Sequence, residues 1–331
     1  MGRMTNQQRE VEAMLAKLEP RVADAFRRAI EAAWRNINYA DLIAALDRGD
    51  LAQAMTIINP PPSLFYPLTE AIRSAFIEGG NMVAQAAPLA VLGFGGDTPA
   101  AQEWLRQLSS TRIQGIRDDT LEAVRNALVS GREQGMGSRE IATMIVGRRV
   151  GNRREGGILG LTAQVADSIM AGREKLASGD PKLMAEYLEL KLRDRRYDRA
   201  IRKAIKEGRA ITGKELEAIL EAHKSKALAY RGKVIAKSET FSALEAGRRE
   251  AVRQALENPQ VAGATKRWQH NLSQEPRLDH ISMGQAPARE FDAPFVMADG
   301  AVMQYAHDPA GGPANNAGCR CITVYRIRMR E

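Results

Sequence analysis

Cysteine is nearly missing from this chain of 331 residues: there are two, Cys319 and Cys321, and they stand side by side in the tail. A disulfide scaffold is therefore excluded, and the usage fits a chain made in a reducing compartment. Aromatic residues make up only 5% of the sequence. No zinc-finger spacing and no aromatic RNA-binding signature stands out, so nothing points to base-specific reading. Apolar runs are short, and none reaches the roughly 18 residues that a membrane-spanning helix needs. The stretch from Met1 to Asn6 leads straight into a polar helical pattern, which predicts no secretory leader. Position 6 is Asn, not the Ser or Thr of a myristoylation signal. Internal repeats and low-complexity tracts are also lacking. What is present is ordinary for a globular chain of two or three domains: 44% hydrophobic and 27% charged residues.

The net charge of +8 is unevenly placed. Residues 1–147 carry 15 basic and 17 acidic side chains, residues 148–257 carry 25 and 16, and residues 258–331 carry 8 and 7. The excess lies in the middle third and is densest at Lys191, Arg193, Arg195, Arg196, Arg199, Arg202 and Lys203, continuing to Lys206 and Arg209. A surface of this kind attracts polyanions, with a strong dependence on salt. The plainer alternative is a solvated helix face on which Asp194 and Asp198 partly neutralise the arginines.

Periodicity predicts a mainly α chain: an elongated multi-helix body with a small α+β, β-rich C-terminal module. Thr5 is placed to cap a helix to about Asn36 that Pro20 kinks or divides. Asp41 caps a short helix ending at Gly49. Asn59-Pro60-Pro61-Pro62 breaks the chain before a helix that Ser63 caps and that runs towards Gln85. The loop Gly93-Phe94-Gly95-Gly96-Asp97 follows no strand and lacks the lysine of a phosphate-binding loop. Ile113, Ile116, Leu121, Val124 and Leu128 mark a long helix that stops at Gly135-Met136-Gly137, and Ser138 caps a short one after it. Gly147 to Gly160, rich in Gly and Arg, reads as a linker. A helix over 161–177, a turn at Ser178–Pro181 and a basic helix to about Glu207 follow. Thr212 and Glu215 form a capping box that opens a helix to about His223, and a last helix runs from Ser225 to about Leu256. Short β-like pieces then appear at 265–268, 295–297, 301–305 and 322–327. The expected domains are 1–147, helical and suited to partner contacts; 148–257, basic and helical; and 258–331, the β-rich module.

That module holds three of the four histidines and both cysteines. On a strand, Cys319 and Cys321 project from one face. With His280 they make a plausible zinc shell, to which His307 or Asp308 would add a fourth ligand. The alternative is that the cysteines are small buried apolar residues and that Arg277, Asp279 and His280 form a hydrogen-bonded network. A Cys319–His280 nucleophile pair is conceivable, but no oxyanion hole or orienting partner accompanies it. Trp268 is expected to be buried, and Glu239 is read as a buried packing carboxylate.

From about Ile113 onward the chain resembles the Mu F-like phage head morphogenesis proteins, the minor head proteins of tailed phages. The blocks that carry the resemblance are Gly137-Ser138 after the long helix, Gly160-Leu161-Thr162, Arg195–Arg199, and Ile235-Ala236-Lys237-Ser238-Glu239-Thr240 with Ala243, Ala246 and Gly247. In the tail they are Lys266-Arg267-Trp268, Arg277-x-x-His280, Gly284, Phe291 and Cys319-Arg320-Cys321. Two departures stand out. Gly318 replaces the Asn usual before C-R-C, and Ala306-His307 replaces the Pro-Gly usual before the late Asp. The resemblance implies a non-enzymatic virion component, made in the host bacterial cytoplasm and located inside the head at the portal vertex. It would act in head morphogenesis and in DNA packaging or delivery. Its partners would be the portal protein and double-stranded DNA, bound without sequence preference, with the major capsid or scaffolding protein as a further candidate. Two rival readings remain at this level. One is a nuclease or transferase effector delivered with the genome, which calls for a catalytic domain after the C-R-C strand. The other is a zinc-stabilised nucleic-acid-binding protein.

Overall fold

The computed structural model describes residues 4–86, 93–151, 153–270 and 277–331. The chain is mainly α, with small antiparallel sheets that are concentrated towards the C-terminus. The helices in chain order begin with α1 (Asn6–Asn36), α2 (Tyr39–Asp47), α3 (Leu51–Ile58), α4 (Tyr66–Ala86), α5 (Pro99–Glu133) and α6 (Ser138–Val146). The hairpin strands β1 (Arg148–Val150) and β2 (Arg153–Glu155) follow, then α7 (Ala163–Ala177), α8 (Pro181–Tyr187), α9 (Asp198–Glu207) and α10 (Gly213–Leu256). The tail contains β3 (Val261–Gln269), α11 (Leu278–Gln285), β4 (Arg289–Glu290), β5 (Phe295–Val296), β6 (Val302–Met303), α12 (Gly312–Asn316) and β7 (Ile322–Met329). No helix of the described residues is long and apolar enough to cross a membrane.

The chain divides into two compact units, each assembled from separated stretches: residues 1–25, 68–109 and 233–331 in unit 1, and residues 26–67 and 110–232 in unit 2. Their boundaries fall inside α1, α4, α5 and α10. This division cuts across the three contiguous segments expected from composition.

In unit 1 the spine is the second half of α10, where residues 241–248 are all buried. A helix buried on every side has no amphipathic stripe to read. One side meets α4 backbone against backbone. A Cβ on Gly247 would lie 1.9 Å from the Phe76 carbonyl oxygen, and one on Gly79 would lie 2.1 Å from that of Leu244. Another side carries Glu245, which is fully buried. Its Oε2 accepts the Thr323 N–H of β7 at 2.9 Å, and its Oε1 accepts from Arg248. β7 pairs antiparallel with β3 from Gln269↔Ile322 to Val261↔Met329, and β4 adds to the other edge of β3. β5 and β6 form a separate small hairpin. Trp268, Phe295, Met297, Met303, Cys319 and Cys321 share one core cluster.

In unit 2, α7, α8, α9 and the first half of α10 enclose a core of Leu161, Ile169, Leu176, Met184, Tyr187, Ile201 and Leu220. The Tyr187 hydroxyl lies 3.2 Å from His223 Nδ1 in this interior. Burial pushes the Tyr187 pKa up. Burial, then Lys226 and Arg193, pushes that of His223 down to about 4. Burial also takes the Lys224 ammonium down to about 8 against the pull of Glu217 and Glu221.

Several sequence expectations change here. Pro20 lies inside α1, which runs on unbroken, and Thr5 and Gln8 cap its start reciprocally. Asn38, not Asp41, caps α2, because its side chain is the one that accepts the Ala40 and Asp41 N–H groups. α3 was not expected at all; Asp50 caps it through the Gln53 N–H. The prolines impose a 3₁₀ turn over Pro62–Phe65, which delays α4 to Tyr66. The Gly/Arg linker is in fact the β1–β2 hairpin. The single basic helix expected to Glu207 is broken into α8, a 3₁₀ turn at Arg195–Tyr197 and α9. The two helices split at Lys224 are one helix, α10, because His223 and Lys224 are buried rather than exposed at a break. Glu215 bonds Arg209 instead of closing a capping box with Thr212.

The contact between α4 and α10 sets a direct test. Gly247→Ala forces two helix backbones apart and is expected to cost about 4 kcal/mol or more. Gly115→Ala in α5, where an added Cβ meets nothing within 4 Å, is expected to be neutral or to stabilise by up to about 1 kcal/mol. Urea denaturation of both variants measures the difference.

Candidate metal centre and basic face

Among the described residues, one group of three potential ligands is close enough to share an ion: His280, Cys319 and Cys321, all buried, with their donor atoms within 4.8 Å of one another. Unit 1 builds this group from two places. His280 is on the short helix α11, whose first turn is fixed by Arg277 donating to the Ala317 carbonyl at 2.8 Å. Asp279 accepts the His280 N–H. The cysteines lie in extended chain just before β7 rather than on the strand itself. Alternation still sends both thiols one way and Arg320 the other. Arg320 reaches α1, pairing with Glu12 at 3.0 Å and Glu19 at 2.9 Å.

His280 Nδ1 is 3.4 Å from Cys319 Sγ and 3.5 Å from Cys321 Sγ. Tetrahedral zinc, with Zn–S near 2.3 Å and Zn–N near 2.0 Å, holds neighbouring S and N atoms about 3.5 Å apart. Cys319 Sγ also accepts the Cys321 N–H at 3.3 Å. Hydrogen bonding from Cys321, and then from His280 and His307, holds the Cys319 thiol well below its ordinary pKa despite burial. Thiolate character of this kind is what a metal requires.

His307 completes the surroundings. It is buried, stacks on Phe241 with ring centroids 3.8 Å apart, and has a backbone φ of 65°. A left-handed backbone is uncommon outside glycine and asparagine. Gly318, at φ 69°, is in the same region. His307 and Gly318 thus both lie at left-handed positions in the turns that precede β7. Neither His307 nor Asp308, whose two oxygens accept the Gln304 and Ala310 N–H groups, belongs to the group of three clustered ligands. The ring of Trp268 meets that of His280 edge-on at 5.2 Å and is buried as expected. Glu239 is buried, and its Oε1 accepts from the Ser238 hydroxyl.

The basic face belongs to unit 2. Lys191, Arg195, Arg196, Arg199, Arg202 and Lys203 are exposed. On α9, Arg199, Arg202, Lys203 and Lys206 recur at helical spacing and form one stripe opposite buried Ile201 and Ala204. Arg193 does not belong with them. Its guanidinium makes a two-pronged, largely buried pair with Asp198, with bonds of 3.0 and 2.9 Å, and so it staples the start of α9. Arg196 is exposed but holds Asp194.

No protein family, curated protein or solved structure matches this chain.

Sequence reasoning missed the buried Glu245 and Arg248 and named Lys266 only within the Lys266-Arg267-Trp268 block. The Lys266 ammonium donates to the Gln304 carbonyl at 2.8 Å and lies 5.1 Å from the Phe295 ring. Burial lowers its pKa to about 8. Its alternation with Ala264 and Trp268 along β3 placed it inward, but its charge argued for the surface.

Arg193→Glu sets two carboxylates against each other in a water-poor site and is expected to destabilise unit 2 by about 3 kcal/mol. Arg199→Glu on the exposed stripe is expected to shift stability by less than about 0.5 kcal/mol. Thermal melts of the two variants separate the structural arginine from the surface one.

Proposed function

We propose that this chain is a minor head protein of a tailed bacteriophage: a non-enzymatic virion component that binds the portal and touches double-stranded DNA. The observation that carries this reading is how blocks far apart in sequence pack around one buried thiol–imidazole cluster. Lys266-Arg267-Trp268, Arg277-x-x-His280 and Cys319-Arg320-Cys321 all contribute to it. Phe241, directly after the Ile235–Thr240 block, stacks on His307.

The cluster is closed. His280, His307, Cys319 and Cys321 are 1%, 3%, 8% and 4% exposed. A closed set of soft donors suits a structural ion, whereas a nucleophile needs an approach for substrate. Zinc is the ion that fits two thiolates and imidazole. Cys319, Cys321 and His280 would hold it, with His307 as the fourth ligand. Bound there, it would join α11 to the segment that leads into β7. The basic stripe of α9 supplies the charge for sequence-independent contact with packaged DNA.

Two measurements test this. In purified virions, the chain is expected in DNA-filled heads and cross-linked to the portal; its absence from particles refutes the assignment. In the purified protein, about one zinc per chain is expected, and a strong chelator should lower the melting temperature, as should Cys319→Ser. Metal well below one per chain, together with a melting temperature indifferent to chelator, removes zinc from the account.

A further inference from the structure

The β1–β2 hairpin is a constructed element of unit 2. A Cβ on Gly147, which has φ +86°, would lie 2.6 Å from the Glu155 carbonyl oxygen, and one on Gly156 would lie 2.8 Å from Glu221 Cβ. Gly156 thus lets the ribbon seat against α10, and Gly147 lets its two ends close on each other. Two of its arginines are anchors. Arg148 Nε is 3.1 Å from Glu221 Oε2 on α10. The Arg154 guanidinium lies 4.6 Å over the Tyr39 ring and donates to the Gly147 carbonyl at 3.0 Å.

The outer part of the ribbon serves no core. Arg149, Val150 and Gly151 are all exposed. The register sets Arg149 opposite Arg154 and Val150 opposite Arg153, so residues 148–155 carry four arginines against the single acid Glu155. Like charges facing each other across a strand pair destabilise it, and a polyanion relieves that cost. A cavity of about 470 Å³ separates the ribbon from the basic segment, lined by Arg148, Glu155, Asp194, Arg196, Glu221 and Lys226. Its three cations and three anions balance, so it is not itself a phosphate site. Beyond it lie Arg149 and the α9 stripe of Arg199, Arg202, Lys203 and Lys206, in which Lys203 pairs with Glu207 at 3.7 Å.

We infer that the β1–β2 ribbon is a duplex-DNA contact with Arg149 on the phosphate backbone, while the α9 stripe holds a second stretch of backbone. The inference rests on the DNA-contact part of the reading above and adds an element to it.

The test uses the full chain, a labelled 30-base-pair duplex of random sequence and a titration with monovalent salt. Arg149→Glu is chosen because the new carboxylate faces Arg154, so the hairpin should hold or gain stability while a phosphate contact is lost. Each contact contributes a slope of about 0.9 in log K against log salt, so affinity near 0.1 M salt should fall about eightfold or more, and the slope should flatten by about 1. The melting temperature is expected to be unchanged or raised. Arg199→Glu with Arg202→Glu is the second arm. If that pair weakens binding and Arg149→Glu leaves both affinity and slope at wild-type values, the ribbon is not a contact and the α9 stripe stands alone. If the wild-type chain ignores the duplex even at low salt, ribbon and stripe both fail as DNA contacts, and membership of the head is still decided by virion fractionation.

Discussion

The close approach of α4 and α10 governs unit 1. Gly79 and Gly247 let two helix backbones touch where any side chain would collide. With α4 pressed against it on that side, α10 turns Glu245 towards β7, whose Thr323 N–H it accepts. β7 in turn continues from the C-R-C segment, so the position of the cysteines descends from a helix crossing that contains no cysteine. An interior with buried Glu245, Arg248 and Lys266 is tolerable because each has a defined partner. An unpartnered charge at the same depth would cost several kcal/mol.

The helical character, the break at the triple proline and the positions of the tail strands other than β4 were legible in the sequence, since periodicity and proline act locally. The Cys/His group was legible in outline, because C-x-C with a nearby histidine is a chemical pattern. The turn that holds Asp308 on the Gln304 and Ala310 N–H groups was not. The deeply buried half of α10 was also hidden. Its small and charged residues resemble a solvated helix, and only the neighbours on every side reveal otherwise.

The basic segment shows the same limit from the other direction. A run of arginines reads as one charged helix, yet Arg193 is structural while Arg199 and Arg202 are exposed. Asp198 makes the difference by sitting five residues along, where a 3₁₀ turn returns it to the guanidinium. The Gly/Arg stretch read as a linker because glycine usually signals slack. Here Gly147 and Gly156 mark tight contact, and the arginines between them divide into anchors and an exposed tip.

Because each unit draws on separated stretches, synthesis on the ribosome meets them unequally. Every residue of unit 2 has been made once position 232 is added, whereas unit 1 lacks its closing strand until positions 322–329 follow. The opening 25 residues are therefore made long before the 233–331 stretch that completes their unit. A nascent chain stalled between those points would hold every residue of unit 2 and an incomplete unit 1, the kind of exposed intermediate that chaperones and proteases engage.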